Sequence, residues 1–156
     1  MPSVSIRQSW PLLLVFLLVV LGIGSVVGLI ATPGEYVGQL KMPPFLLPDV
    51  VSGVLWIVLS AAFAIAGWRN WVLDSNSTEM RLWLAVLILS WWFSPAFFIV
   101  RSPPLALIVI AAILVLMVWF AVRAWSRERV SFWLFVPNVL YIAYVTAMTG
   151  AIVAMN

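Results

Sequence analysis

The chain of 156 residues is 65% hydrophobic and only 8% charged, with eight basic and five acidic residues and a net charge of +3. Soluble domains carry roughly a quarter charged residues, so an aqueous globule is excluded. The lack of Cys and His removes disulfides, thiolate chemistry, zinc sites and imidazole-ligated haem iron. The scattered basic residues form no cluster that would grip a phosphate backbone, so no nucleic-acid partner is expected.

Cutting the sequence at its thirteen charges leaves five uncharged stretches, 8–34, 50–68, 82–100, 102–122 and 130–156, each 19 to 27 residues long. A helix rises about 1.5 Å per residue and the hydrocarbon core is about 30 Å thick, so each stretch is one crossing and none holds two. The expected fold is all-α: a single integral membrane domain of five transmembrane helices spanning approximately 10–30, 51–70, 81–99, 103–123 and 132–154. The carboxylates Glu35, Asp49, Asp74, Glu79 and Glu128 all fall between these spans. An intramembrane proton relay therefore has no titratable carrier, and an ion pump is not expected.

The first span follows Arg7 and runs apolar to Ile30 with no small-x-small cleavage site, which reads as a retained helix rather than a signal peptide. Gly24 and Gly28 form a Gly-x-x-x-Gly pair suited to close helix approach, either within the chain or in a homodimer. The connection 31–50 carries prolines at 33, 43, 44 and 48 with Tyr36, Lys41 and Phe45. Antiparallel helices are joined by far fewer residues, so a loop this long and stiff is expected to be functional. The second connection, with Asp74, Asn76, Ser77 and Glu79, reads as a solvated turn capping the third helix. In the third, Ser102 is the expected N-cap with Pro103 at the first helical position, making spans three and four antiparallel neighbours. The fourth, 123–131, is a short basic connection that interfacial anchoring explains.

Ten tryptophans are far more than ordinary usage. Trp10, Trp68, Trp71, Trp83, Trp125 and Trp133 fall at span ends, where indoles prefer the interface. Trp56, Trp91, Trp92 and Trp119 lie deeper and are expected in packing or in a pocket. Pro95 and Pro137 each remove a helical hydrogen bond inside a span, and the resulting kinks make room for a cavity. Asn138, Tyr141 and Thr149 share one face of the last span, which is expected to look inward.

These residues resemble the translocator protein or tryptophan-rich sensory protein (TspO/MBR) family, which has five membrane helices. In the first loop, Tyr36 and Lys41 keep the Tyr-to-Lys spacing of the family's Tyr-x-x-Leu-x-Lys-Pro stretch and Pro43, Pro44 and Phe45 resemble its proline-rich sequel, followed, after a one-residue insertion, by Trp56 in the second helix. The family's third-helix motif, ending Trp-x-Pro-x-Phe-Phe, is similar to Phe93, Pro95, Phe97 and Phe98. The last-helix motif is similar to Pro137, Asn138 and Tyr141. At positions where the family carries polar or indole pocket groups this chain has Val86, Ser90, Phe93, Asn138, Tyr141 and Thr149, and Glu35 replaces a loop tryptophan.

The resemblance implies a cavity under the first loop that accepts tetrapyrroles or sterol-like lipids, a homodimer, and a sensory, regulatory or transport role. On that basis the candidate ligand-binding residues are Tyr36, Lys41, Pro43, Pro44, Phe45, Trp56, Ser90, Phe93, Pro95, Phe97, Asn138, Tyr141 and Thr149. Trp56, Phe93, Phe97 and Tyr141 would supply ring surface and Ser90, Asn138 and Thr149 hydrogen bonds, while Lys41 would pair with a propionate at the rim. No cofactor is required, although a tetrapyrrole or lipid is an expected guest, and membrane lipid and a hydrophobic small molecule are the expected partners. No catalytic residue and no metal ligand is identified within the spans, so enzymatic activity is not expected; porphyrin photochemistry rests on the resemblance alone. The opposing reading is a small structural subunit of a larger membrane complex with an emptied pocket.

Location in a prokaryotic cytoplasmic membrane is expected. Orientation is left open by two arguments that disagree. The ends carrying Arg7, Arg69, Arg81, Arg123, Arg127 and Arg129 outweigh those carrying Lys41 and Arg101, which favours a cytoplasmic N-terminus. The family's usual topology is the reverse.

Overall fold

The computed structural model describes residues 6 and 9–156, and these contain helices and no strand. In chain order the helices are α1 (Trp10–Ile30), the short α2 (Gly34–Gly38), α3 (Asp49–Asp74), α4 (Thr78–Ile99), α5 (Pro103–Arg127) and α6 (Arg129–Met155). All but α2 are long and apolar enough to cross a membrane. Arg7, the expected basic flank of the first span, lies outside the described residues.

Most of the long helices outrun the uncharged stretches, because charged residues occupy their terminal turns. Asp49 opens α3, Glu79 sits in the first turn of α4, and Arg123 and Arg127 lie in the last two turns of α5. Asp49, Asp74 and Glu79 thus sit in terminal helical turns, outside the expected apolar spans. A carboxylate in a first turn and a cation in a last turn each suit the helix macrodipole, so the helices extend into the polar rim instead of stopping at the apolar boundary.

The five long helices form a ring in the order α1, α3, α6, α5, α4, with the closest packing between α5 and α6 and between α4 and α5. Their outer faces are apolar: Leu18, Leu29, Val50, Ile108, Val122 and Leu140 are all exposed. That inversion of the soluble pattern fits a hydrocarbon surrounding.

Local stops follow the expected chemistry at two junctions. Ser77 accepts a hydrogen bond from the Met80 amide at 3.2 Å, and Ser102 accepts from the Leu105 amide at 3.4 Å with Pro103 as the first helical residue. Arg101 takes a left-handed conformation (φ 56°) to close the turn between α4 and α5. Glu128 caps α6, its carboxylate accepting from the Ser131 amide at 2.6 Å.

Pro95 opens a π-helical stretch, Pro95–Ile99, in which the Val100 amide reaches five residues back to the Pro95 carbonyl at 2.9 Å. A second π-helical stretch, Leu18–Ile23, interrupts α1 without any proline, so no breaker residue announces it. Pro137 lies within a continuous α6.

The half of the bundle remote from the 31–48 connection is a dense aromatic core. The ring of Trp83 stacks on Phe63 at 4.8 Å, Phe63 packs on Phe135 at 5.5 Å, and Phe135 stacks on Phe120 at 3.9 Å. Gly67 permits this arrangement, since a Cβ there would lie 2.2 Å from the Trp83 ring. With no side chain in the way, the Trp83 indole donates to the Phe63 carbonyl at 2.8 Å. Trp68 is buried as well, donating to the Ser9 carbonyl at 3.0 Å. Trp68 and Trp83 are therefore core residues, not interfacial ones as their place at span ends suggested. Position along the axis says nothing about which way around the helix a ring faces.

Candidate ligand-binding cavity

A cavity of about 460 Å³ lies among the five long helices, between the 31–48 connection and the aromatic core. That volume is in the range of small-molecule sites, roughly 300–1,000 Å³. Its floor is Phe63 with Val20, Val86 and Met117, so the ring that ends the dense core also begins the hollow. Trp56 and Trp91 stand in the walls with Phe93, Phe98 and Tyr141. Leu46, Leu47 and Asp49 form the end nearest the loop.

Trp56 is held by α1. A Cβ on Gly24 would lie 3.0 Å from the Trp56 ring, so Gly24 is the seat of that indole. Of the Gly-x-x-x-Gly pair, Gly24 is therefore engaged within the chain, whereas a Cβ on Gly28 would meet nothing within 4 Å.

Among the candidate residues, Trp56, Ser90, Phe93, Asn138 and Tyr141 line the cavity. The others lie elsewhere. Phe97 is buried beside Tyr36, their rings 6.4 Å apart, in a smaller apolar cluster with Ala96, Ala106 and Ile152. Pro95 begins the π-helical turn that carries Phe97 there. Thr149 is fully buried and donates to the Val145 carbonyl at 2.8 Å. Pro43 is buried in the loop, while Pro44 and Phe45 are exposed on it.

Lys41 is exposed and does not line the cavity. The backbone at Lys41 is instead gripped by Asn156, whose side chain accepts from the Lys41 amide at 2.8 Å and donates to its carbonyl at 3.0 Å. The expected role of its ammonium at the cavity rim is corrected: the clamp concerns its main chain. Trp92 and Trp119, expected in packing or in a pocket, are 62% and 52% exposed on the outer wall. Each sits on the helix face opposite the cavity, where hydrocarbon accommodates an indole body.

Several polar groups near the cavity are already satisfied by their own helix. The Ser90 hydroxyl donates to the Val86 carbonyl at 2.7 Å, and the Asn138 amide donates to the Leu134 carbonyl at 3.0 Å. Such bonds to the preceding turn let Ser, Thr and Asn reside in an apolar helix. Tyr144, which sequence reasoning left out of the site, has a larger part. Its hydroxyl donates to the Phe45 carbonyl at 3.2 Å and accepts from the Leu47 amide at 3.0 Å, fastening the loop to α6 over the cavity. The signal available in the sequence was its spacing of three residues from Tyr141, which puts both rings on adjoining positions of one face, centroids 6.1 Å apart.

The opposite rim is polar, and its carboxylates are paired. Glu79, 1% exposed, receives Arg123 Nε and Arg127 each at 2.8 Å. Glu128 receives Arg69 through two bonds, at 3.1 and 2.8 Å, together with the Ser131 hydroxyl. Burial tends to raise the Glu128 carboxyl, but Arg69 and the Ser131 donors outweigh it and hold the group below the usual glutamate range. The solvated turn and the basic anchor expected here are joined by two groups of ion pairs: Glu79 and Asp74 with the end of α5, and Arg69 of α3 with Glu128 at the start of α6.

The family model for the TspO/MBR family matches residues 15–155. A protein described as "Tryptophan-rich sensory protein" from Cereibacter sphaeroides is 26% identical over 144 residues, covering 92% of this chain and 89% of that protein. The match takes in all of the cavity wall and both rims, and with five apolar helices it makes this an integral, multi-pass membrane protein that belongs to the TspO/MBR family.

Proposed function

We propose that this protein binds a hydrophobic, largely planar ligand between its helices, and that occupancy serves a sensory, regulatory or transport role in a prokaryotic cytoplasmic membrane. The observation that carries the reading is the cavity of about 460 Å³ walled by Trp56, Trp91, Phe93 and Tyr141 and floored by Phe63. Stacked or edge-on rings attract a flat guest beyond simple area burial. The bacterial relative's name supports a sensory setting. Tetrapyrroles and sterol-like lipids remain the guest classes suggested by the family, with weaker tetrapyrrole binding here. Val86 and Ser90 stand where the family carries amide partners, and each lost hydrogen bond costs about 1 kcal/mol. A homodimer through α1 would present Ser25 and Gly28, both exposed, to the second copy.

Titration of protoporphyrin and of pyrene against the intrinsic tryptophan fluorescence of the purified protein tests this. Pyrene is expected to bind the more tightly, and Trp56→Ala to weaken it by roughly tenfold, about 1.4 kcal/mol. Thr149→Ala, outside the cavity wall, should leave it unchanged. If neither compound binds, or if Trp56→Ala binds both as well as the parent does, the structural-subunit reading takes its place.

A further inference from the structure

We infer that the cavity prefers a guest carrying a positive charge, an amine on an apolar aromatic frame, with Asp49 as the counter-charge at its mouth. The inference rests on reading the cavity as a ligand site and adds the chemical class of the ligand. Asp49 is the sole charged side chain in the lining. The ion pairs among the described residues are Arg69 with Glu128, Arg123 with Glu79, and Arg127 with both Asp74 and Glu79, so Asp49 has no cationic partner within that set. Two basic residues share its end of the bundle, and neither lines the cavity. Lys41 is exposed, and the Arg101 guanidinium lies 5.7 Å from the ring centre of Tyr36.

An acidic residue in the first turn of a helix often serves only the macrodipole. That role requires no opening onto a cavity and no arrangement beneath it. Here Ser52 and Trp56 follow on the same face of α3, three and seven residues on, and both line the cavity. Seven residues of helix put the carboxylate and the indole about 10 Å apart along the axis. A guest of that length would set its ammonium against Asp49 and its rings beside Trp56. A carboxylate-bearing guest meets the opposite situation, a fixed negative charge and no basic side chain in the wall.

Three probes of one skeleton separate the possibilities: 1-pyrenemethylammonium, 1-methylpyrene and 1-pyrenecarboxylate, titrated by tryptophan-to-pyrene energy transfer against the full chain in nonionic micelles. The ammonium is expected to bind about fivefold more tightly than methylpyrene, the scale of a solvent-accessible ion pair, and the carboxylate least tightly. Asp49→Asn should erase the ammonium preference while methylpyrene binding is retained, and Asp49→Glu should keep it. Added salt should shrink the preference in the parent. Equal affinity for ammonium and methylpyrene in the parent, or a preference that survives Asp49→Asn, overturns the inference and leaves the apolar site standing. Loss of methylpyrene binding in Asp49→Asn also counts against it, since Asp49 would then support the cavity wall rather than select charge. If the parent binds none of the three, the ligand-site reading itself falls.

Discussion

The two ends of this bundle solve the same problem, joining helices at a membrane surface, with different chemistry. At the end where α3 meets α4 and α5 meets α6, connections are short and two nearly buried carboxylates are paired with more exposed arginines: Glu79 with Arg123 and Arg127, Glu128 with Arg69. Beneath that rim the rings of Trp83, Phe63, Phe135 and Phe120 fill the interior. At the other end, a long loop crosses a hollow and is fastened by neutral hydrogen bonds, one through Tyr36 and two each through Tyr144 and Asn156. Charge-assisted bonds contribute roughly twice what neutral ones do, so the first end acts as the fixed base and the second as the part that yields. A site that exchanges an apolar guest needs both features, a floor that keeps its shape and a cover that does not bind too firmly.

The largest effect is expected where the base is tightest. Gly67→Ala would set a methyl group 2.2 Å from the Trp83 ring, and that ring cannot slide because its indole is bonded to the Phe63 carbonyl. Overpacking of this kind costs about 3 kcal/mol or more. Thermal unfolding in detergent should show a marked fall in midpoint. Trp83→Leu added to Gly67→Ala should recover part of it, since the smaller side chain vacates the contested space. A Gly67→Ala protein as stable as the parent would show that the base is not rigid.

Next in size is the acid response of the same rim. Glu128 is held below its usual value of 4.5, so its stabilising contribution is complete above that pH and is lost as the pH falls through the depressed value. Glu128→Gln removes the charge-assisted bonds to Arg69 and should cost about 2 kcal/mol at neutral pH. It should also flatten the decline in stability below pH 4.5 relative to the parent. An unchanged acid profile in the variant would mean that Arg69 and Glu128 contribute nothing net.

Much of the base was hidden from the sequence, and the reason is geometric. The number and order of the helices follow from uncharged length alone, while the Ser102 cap, and a capping turn before α4 in which the structure singles out Ser77, follow from the residue types of the connections. Whether Trp83 faces inward is decided by Gly67, sixteen positions away on another helix, and no periodicity within α4 carries that information. The same holds for Glu79: a carboxylate two residues after a capping serine looks solvated until α5 brings Arg123 and Arg127 alongside. At the hollow end, Trp56, Ser90, Phe93, Asn138 and Tyr141 share the lining because spacing along each helix sets the face. Lys41 and Phe97 do not, because a proline-rich loop and a π-helical turn follow no such spacing.

At the yielding end a smaller effect is expected from Tyr144→Phe. It removes both bonds that join the loop at Phe45 and Leu47 to α6 while keeping the ring that packs on Phe45 at 6.4 Å. Two neutral hydrogen bonds at about 1 kcal/mol each, largely replaced by water once the loop lifts, should change global stability little. Proteolysis within 40–48 should accelerate severalfold, and pyrene should dissociate faster, with less change in its equilibrium affinity. Equal proteolysis rates would mean that the loop is held by its prolines and apolar packing instead of by Tyr144.

The smallest effect tests whether hydroxyl groups near the cavity matter to the guest at all. Ser90 lies in the wall and Thr149 outside it, but both donate to the carbonyl four residues back in their own helix, at 2.7 and 2.8 Å. Those carbonyls serve as helix acceptors already, so deleting the hydroxyl strands no partner, and the apolar surroundings favour the replacement. Ser90→Ala and Thr149→Val should each shift stability by about 0.5 kcal/mol or less. Pyrene affinity should be unchanged in Thr149→Val and should move by less than about twofold in Ser90→Ala. The comparison with Trp56→Ala then measures how far rings outweigh hydroxyls in the wall. A loss in Ser90→Ala as large as that in Trp56→Ala would mean that the Ser90 hydroxyl turns from its own helix to the guest, and the polar stripe would have to be read as part of the recognition surface.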